Sequence, residues 1–428
     1  MSWLKCAFLL WGAACTGCGV SGPRLALSAS WPFAPPNPER PAIFSSRPLP
    51  GCLLEERPAF VHARTLASTF RALEFKKNPP LRALSEHEVW PFLRSHLDLV
   101  QIKRTQRIYA ALGLLPLGFD LELVLLRVLQ EQFLGAYDAA HQVIFLRKKH
   151  VPSLREPLSL SEHRNLKALL VHEYVHALQD QYFGIGGSAS LLASLDQARA
   201  WEALLEGDAL FCSLAAVGTN PMEFQISFFD SSNLDASFSG IPEFLREALL
   251  FPYVHGLSFV IAVRNGRVFH GLRGVAALNH AFMGLPLSTS TVLHHSPRPS
   301  LHHAFSFRSL IEDHGCEVLE EDTLGEFEIR VFLEWLFQHR TEEVSNGWEW
   351  DRIVVFRCAS GEALSFAWMI WWADIRRAEE IGRALSLKQK GSKFLEIAHK
   401  PHALLLGARV PQPLWTNLHR RLLSLDLP

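Results

Sequence analysis

The sequence predicts an α+β fold with a mainly helical C-terminal half, and three stretches carry that expectation. Residues 161–183 put Leu166, Leu169, Leu170, Ala177 and Leu178 at helical spacing, between a Ser161-Glu162-His163-Arg164 start and a Gly184-Ile185-Gly186-Gly187 stop. Upstream, Tyr137 to Leu146 reads as a turn entering a buried strand. Downstream, Trp201, Leu205, Ala209 and Cys212 form the apolar stripe of a second helix. At 428 residues the chain exceeds the usual single-domain size, so two domains, or one enlarged by insertions, are expected.

Taken in order, residues 1–20 are a segment apart. Lys5 precedes a short apolar run from Cys6 to Ala14, which ends in Ala13-Ala14-Cys15-Thr16-Gly17-Cys18-Gly19. This is the pattern of an export signal, and the run is too short for a membrane span. Small residues before cysteine also fit a bacterial lipoprotein cleavage site, with a candidate lipid anchor at Cys15 or Cys18, although neither has the usual leucine three residues earlier. The expected location is the periplasm or cell envelope, or the extracellular space. Residues 21–58 carry Pro23, Pro32, Pro35, Pro36, Pro38, Pro41, Pro48, Pro50 and Pro58, which suit an extended linker.

Residues 59–150 read as a mixed lobe. A helix runs through Leu73 and a short strand or turn through Pro80; Ser85 then opens a helix whose Glu88 completes a capping box, and an apolar helix spans Asp120 to Phe133. Residues 151–300 hold the two stripe-bearing helices, and 301–428 are expected to be mainly helical. There Phe366 to Trp372 reads as a core element, and a solvated helix runs from Asp374 to about Leu387. No later apolar run is expected to span a membrane.

Composition narrows the function classes. With 48% hydrophobic and 20% charged residues, the chain is that of a packed protein. A net charge of -1 offers no basic excess for phosphate, so no nucleic-acid partner is expected. Outside the first segment only Cys52, Cys212, Cys316 and Cys358 remain, enough for one or two bridges but not for a disulfide scaffold.

The chemistry concentrates in His172-Glu173-Tyr174-Val175-His176. Extending the apolar stripe from Leu169 by three and four residues lands on His172, Glu173 and His176, so polar groups sit beside a buried face and need compensation. Two histidines four apart on a helix point the same way and can reach one zinc ion per chain, with the intervening glutamate near a zinc-activated water. Glu173 is then the general base, taking the water proton and passing it to the leaving group. A third ligand is required, and Glu202 or Glu206 on the following helix can supply it. Asp208 or Asp180 is a candidate partner for the second nitrogen of a zinc histidine. His294-His295 and His302-His303 do not make a second metal site, because adjacent residues on an extended segment face opposite ways.

His172–Glu173–x–x–His176 with a downstream helical glutamate resembles the gluzincin clan of zincin metallopeptidases. Leu205-Glu206-Gly207-Asp208-Ala209 is similar to the Glu-Gly-x-Ala setting of the aminopeptidase N family's third ligand, which selects Glu206. The wording from His172 to Phe183 is closer still to poorly characterised, often exported bacterial zincin-like proteins. Similar stretches continue at Tyr253-Val254-His255-Gly256, Ser288-Thr289, Val292-Leu293-His294, Asp322 to Phe327 and Gly347 to Arg352, so the resemblance covers roughly residues 60–385. It departs at Ser290-Thr291, where Glu-Gln is expected, and at Glu349-Trp350, where a glycine pair is expected. The resemblance implies a zincin-like fold and zinc-dependent hydrolysis of peptide bonds in a peptide or protein substrate. It further implies an edge strand at Ala136 to Leu146 that binds an extended substrate, and Tyr253 and His294 as oxyanion donors. Two other functions fit the same residues: an exported binding or structural lipoprotein on a zincin scaffold without turnover, and a zinc hydrolase of non-peptide amides.

Overall fold

The computed structural model describes residues 49–116, 118–151, 160–188, 194–224, 240–284, 288–297, 306–338, 346–359, 363–389 and 396–424. The expected export segment with Cys15 and Cys18, the expected linker up to residue 48, and His302-His303 lie outside them. The chain is α+β and falls into two compact units. One gathers the described residues of 49–98, 123–188 and 201–284; the other gathers 99–122, 194–200 and 288–424.

The elements follow as β1 (Cys52–Leu53), α1 (Pro58–Arg71), β2 (Leu81–Leu84), α2 (Glu86–His96), α3 (Leu99–Ala111), α4 (Leu121–Gln132), β3 (Gly135–Asp138), β4 (Val143–Arg147), α5 (Leu160–Phe183), α6 (Ile185–Ser188) and α7 (Leu195–Ala216). After these come α8 (Glu243–Arg264), α9 (Gly274–Met283), α10 (Thr289–His294), α11 (Arg308–Glu312), β5 (Cys316–Asp322), α12 (Gly325–Phe337), β6 (Trp348–Cys358), β7 (Ser365–Trp372), α13 (Ile375–Gln389), β8 (Glu396–Lys400), β9 (Ala403–Ala408) and α14 (Gln412–Ser424).

In the first unit, local signals set the boundaries. Pro58 opens α1, where its missing N–H costs nothing. Ser85 and Glu88 form the reciprocal capping box of α2. The sheet has the order β1-β2-β4-β3, with β2 and β4 parallel and the outer pairs antiparallel, so β3 is an edge strand. Against it lies α5, buried at every residue from Ala168 to Asp180. Phe60, Ala63 and Ala67 of α1 pack with Leu170, Tyr174 and Leu178 of α5 in one apolar cluster. Length and composition alone would let α8 cross a membrane, but 67% of its apolar window is buried within the protein, as befits a core helix.

The second unit corrects the expectation of a mainly helical region after residue 301. It holds a five-stranded sheet of order β5-β6-β7-β9-β8, antiparallel throughout. The reason is burial on both faces: all of β7 is buried, so its run of apolar residues shows no strand-like alternation. One face packs Val354, Met369 and Leu405 against Ile311 of α11 and Leu414 and Leu418 of α14. On the other, Trp368 meets Phe332 of α12, ring centroids 5.4 Å apart. The outermost strand β5 is rich in acids, which hid it from a hydrophobic reading and suits an edge. A disulfide, Cys316–Cys358, joins β5 to β6, while Cys52 and Cys212 form no bridge among the described residues.

Candidate metal centre

The site is built on two helices of the first unit. His172, Glu173 and His176 occupy the fully buried stretch of α5, and Glu206 lies on the buried side of α7. Glu202, one turn earlier, is only half-buried. His172 Nε2 and His176 Nε2 are 3.0 Å apart, and Glu206 Oε2 lies 3.2 Å from the first and 3.6 Å from the second. Among the described residues this is the only group of three such side chains whose ligand atoms all approach one another.

Those separations fit zinc. Bonds of about 2.0–2.1 Å at tetrahedral angles set neighbouring ligand atoms about 3.3–3.4 Å apart, and the three measured distances straddle that value. The donor set fits too: two imidazoles and one carboxylate leave a fourth position open. Burial pushes His172 down, against the pull of Glu206. It would do the same to His176, but Glu206 and, less strongly, Glu173 and Gln179 lift that imidazole to about 9. The histidines in turn hold Glu206 well below the ordinary carboxylate range despite its burial, so the charge of Glu206 is balanced within the group by His176.

Glu173 is bonded differently from these three. Its Oε2 accepts the backbone N–H of Tyr137 on edge strand β3 at 2.7 Å, while its buried Oε1 has no hydrogen-bond partner among the described residues. Burial first, then the charge of Glu206, push its pKa up to about 8, against His176 and the Tyr137 N–H.

The second nitrogen of His176 has a partner that the sequence pattern did not name. Neither Asp208 nor Asp180 bonds it directly. His176 Nδ1 lies 2.8 Å from Gln179 Oε1, and Gln179 Nε2 donates to Asp208 Oδ2 at 3.0 Å. Asp180 instead accepts from the Tyr137 hydroxyl at 2.9 Å and the Gly186 N–H at 3.1 Å. Gln179 was within reach of sequence reasoning, standing three residues after His176 on one helix face. Arg71, which pairs with Asp208 at 2.9 Å, was not: nothing local links α1 to the motif.

Two of the quoted stretches meet at a helix crossing. A Cβ on Gly207 would lie 2.2 Å from Gly256 O, and one on Gly256 would lie 2.2 Å from Ala203 O. The Glu206-Gly207 and His255-Gly256 pairs therefore let α7 and α8 touch backbone to backbone, which fixes where α7 presents Glu206. Tyr253, one turn before Gly256, lies in the apolar cluster of Leu210, Leu214, Phe224, Val254 and Leu257.

His294 belongs to the second unit, where its Nε2 lies 2.7 Å from Glu326 Oε1. The other stretches quoted for the resemblance meet there in one buried knot. Asp351 accepts the N–H groups of Leu324 and Gly325 at 2.9 and 2.8 Å and the indole N–H groups of Trp348 and Trp368 at 3.1 and 2.9 Å, capping α12. Asp196 accepts both donors of Thr289, and Asp322 accepts the N–H of Leu195 at 3.2 Å. Gly325, at a φ of +86°, leaves the space that Asp196 fills.

A family model described as a domain of unknown function (DUF8575) matches residues 315–394, the stretch that contains β5, α12, β6, β7 and α13. No curated protein and no solved structure is similar to the chain.

Proposed function

We propose that the protein is a zinc-dependent metallopeptidase of zincin-like fold, with His172, His176 and Glu206 as the ligands of one zinc and Glu173 as general base. The observation that carries this is the buried triangle of ligand atoms at zinc spacing, beside a carboxylate with one unpartnered oxygen. A bound zinc supplies an acidified water and an electrophile for a carbonyl. Glu173 takes the proton at Oε1, because Oε2 is held by Tyr137, and returns it to the leaving nitrogen.

Substrate recognition by strand addition enters by resemblance; β3 is the edge strand, but all four of its residues are buried and the Tyr137 N–H is already given to Glu173. Tyr253 and His294 enter as oxyanion donors by resemblance, and Tyr253→Phe and His294→Asn test them through kcat. Export is supported by the Cys316–Cys358 bridge, which belongs to an oxidising compartment.

The test is hydrolysis by zinc-loaded protein of a peptide library and, in parallel, of acylated small molecules. Peptide cleavage lost in Glu173→Gln, with zinc retained, is the expected result. Cleavage of the small amides alone moves the reading to non-peptide amide hydrolysis. Turnover of neither leaves a binding scaffold.

A further inference from the structure

We infer that Gln179, locked by the buried Arg71–Asp208 ion pair, is a positioning residue that fixes the tautomer of His176 and so presets its Nε2 to receive a cation; this rests on the zinc reading above. The two ends of the Gln179 amide are identified by what they face. One end meets Leu205 O at 3.1 Å and Asp208 Oδ2 at 3.0 Å. A carbonyl accepts only, and the ion pair with Arg71 makes Asp208 an acceptor only, so that end is the NH₂. The other end is therefore the carbonyl, and the His176 Nδ1 that it meets at 2.8 Å must donate. With the second proton displaced by a metal, an imidazole that keeps its proton on Nδ1 offers its lone pair at Nε2, the atom that faces His172 and Glu206.

Every link is sealed from water: Arg71, Gln179 and Asp208 have no exposure and His176 has 3%. Arg71 is held from its other side by Asn279, whose Oδ1 accepts at 3.1 Å, and by the rings of Phe282 and Phe183, with centroids 5.5 and 6.0 Å from the guanidinium carbon. A turned-over amide would set its carbonyl against Leu205 O and Asp208 and offer NH₂ to Nδ1, which would drive the imidazole proton onto Nε2, where it blocks a metal. The histidines are unequal in this respect, since the buried His172 Nδ1 has no hydrogen-bond partner among the described residues. A buried amide between carboxylate and imidazole thus does what a carboxylate alone does at many metal sites.

The experiment is a zinc titration of the metal-free proteins against a chromophoric chelator, with thermal unfolding of each metal-free form as the control for folding. Gln179→Met, which keeps the shape but removes both contacts, is expected to bind zinc about 10–100-fold more weakly than wild type. Gln179→Glu keeps an acceptor toward Nδ1 but sets a second carboxylate against Leu205 O and Asp208, so it too is expected to bind zinc more weakly than wild type. Asp208→Asn supplies an independent variant: it weakens one of the two contacts that hold the NH₂ end while Leu205 O keeps the other, so a smaller loss than in Gln179→Met is expected. Nitrogen-15 spectra of the zinc-loaded proteins should show a slowly exchanging Nδ1–H in wild type that is lost in Gln179→Met. Equal zinc affinity in wild type and a folded Gln179→Met overturns this inference alone. Wild type that takes up no zinc overturns the zinc reading, and this inference with it.

Discussion

Replacing Gly207 with alanine tests whether the crossing of α7 and α8 shapes the candidate metal centre. The added methyl would stand 2.2 Å from Gly256 O, 2.3 Å from Gly256 C and 2.9 Å from Leu257 N. An ordinary contact is about 3.4 Å, so the two backbones must part by roughly 1 Å, and no side-chain rotamer can absorb the clash. Overpacking of this kind costs about 1–3 kcal/mol, and backbone against backbone belongs at the upper end. Alanine's better helix propensity returns about 1 kcal/mol. The net expectation is a loss of about 2 kcal/mol, read from urea unfolding of the metal-free protein. Zinc affinity should fall as well, because Glu206 is the neighbouring residue and metal sites tolerate displacements of only about 0.2 Å. A variant more stable than wild type by about 1 kcal/mol, as expected for a helical glycine with free space around it, would refute the close crossing.

Two further outcomes follow from buried carboxylates. Asp351→Ala strands the N–H groups of Leu324, Gly325, Trp348 and Trp368 in the interior. At about 1–3 kcal/mol for each unsatisfied donor, the variant should fail to fold or lose at least about 3 kcal/mol in denaturant unfolding; a loss under about 1 kcal/mol would contradict the capping role. Asp138 is pushed up by burial, yet the hydrogen bond and charge of His96, and then those of His141, bring it down to about 2 from its ordinary 3.8. A depressed acid stabilises the fold fully above its ordinary pKa and loses that contribution as pH falls through the folded value. Wild type should therefore exceed Asp138→Asn by about 2 kcal/mol at pH 5, with the gap closing toward pH 2. An unchanged gap would contradict the pairing.

Much of the first unit was legible because its signals are local. The Ser85 and Glu88 capping box, the Pro58 start and the apolar spacing of α4, α5 and α7 are each written within a few residues. His172, Glu173 and His176 were legible for the same reason: helical periodicity put three polar groups on a buried face. Glu206 needed more, since spacing alone allowed Glu202; burial separates them, with the Glu202 side chain half-buried and Glu206 at 4% exposure. What the sequence hid depends on contacts between distant segments. Arg71 reaches Asp208 across more than a hundred residues, and Gly207 shows its purpose only against Gly256. The second sheet was hidden by its own burial: β7 has apolar residues on both faces and so lacks the alternation that marks a half-buried strand. The acids of β5 looked like loop or helix surface until β6 was seen beside them.

Whether His172, His176 and Glu206 bind one zinc ion is decided by elemental mass spectrometry on purified chain. Wild type, Glu206→Ala and Glu202→Ala are reconstituted with zinc, dialysed and counted. About one zinc per chain is expected in wild type and in Glu202→Ala, with the metal lost or sharply reduced in Glu206→Ala. No zinc in folded wild type, or zinc retained in full by Glu206→Ala, would contradict it.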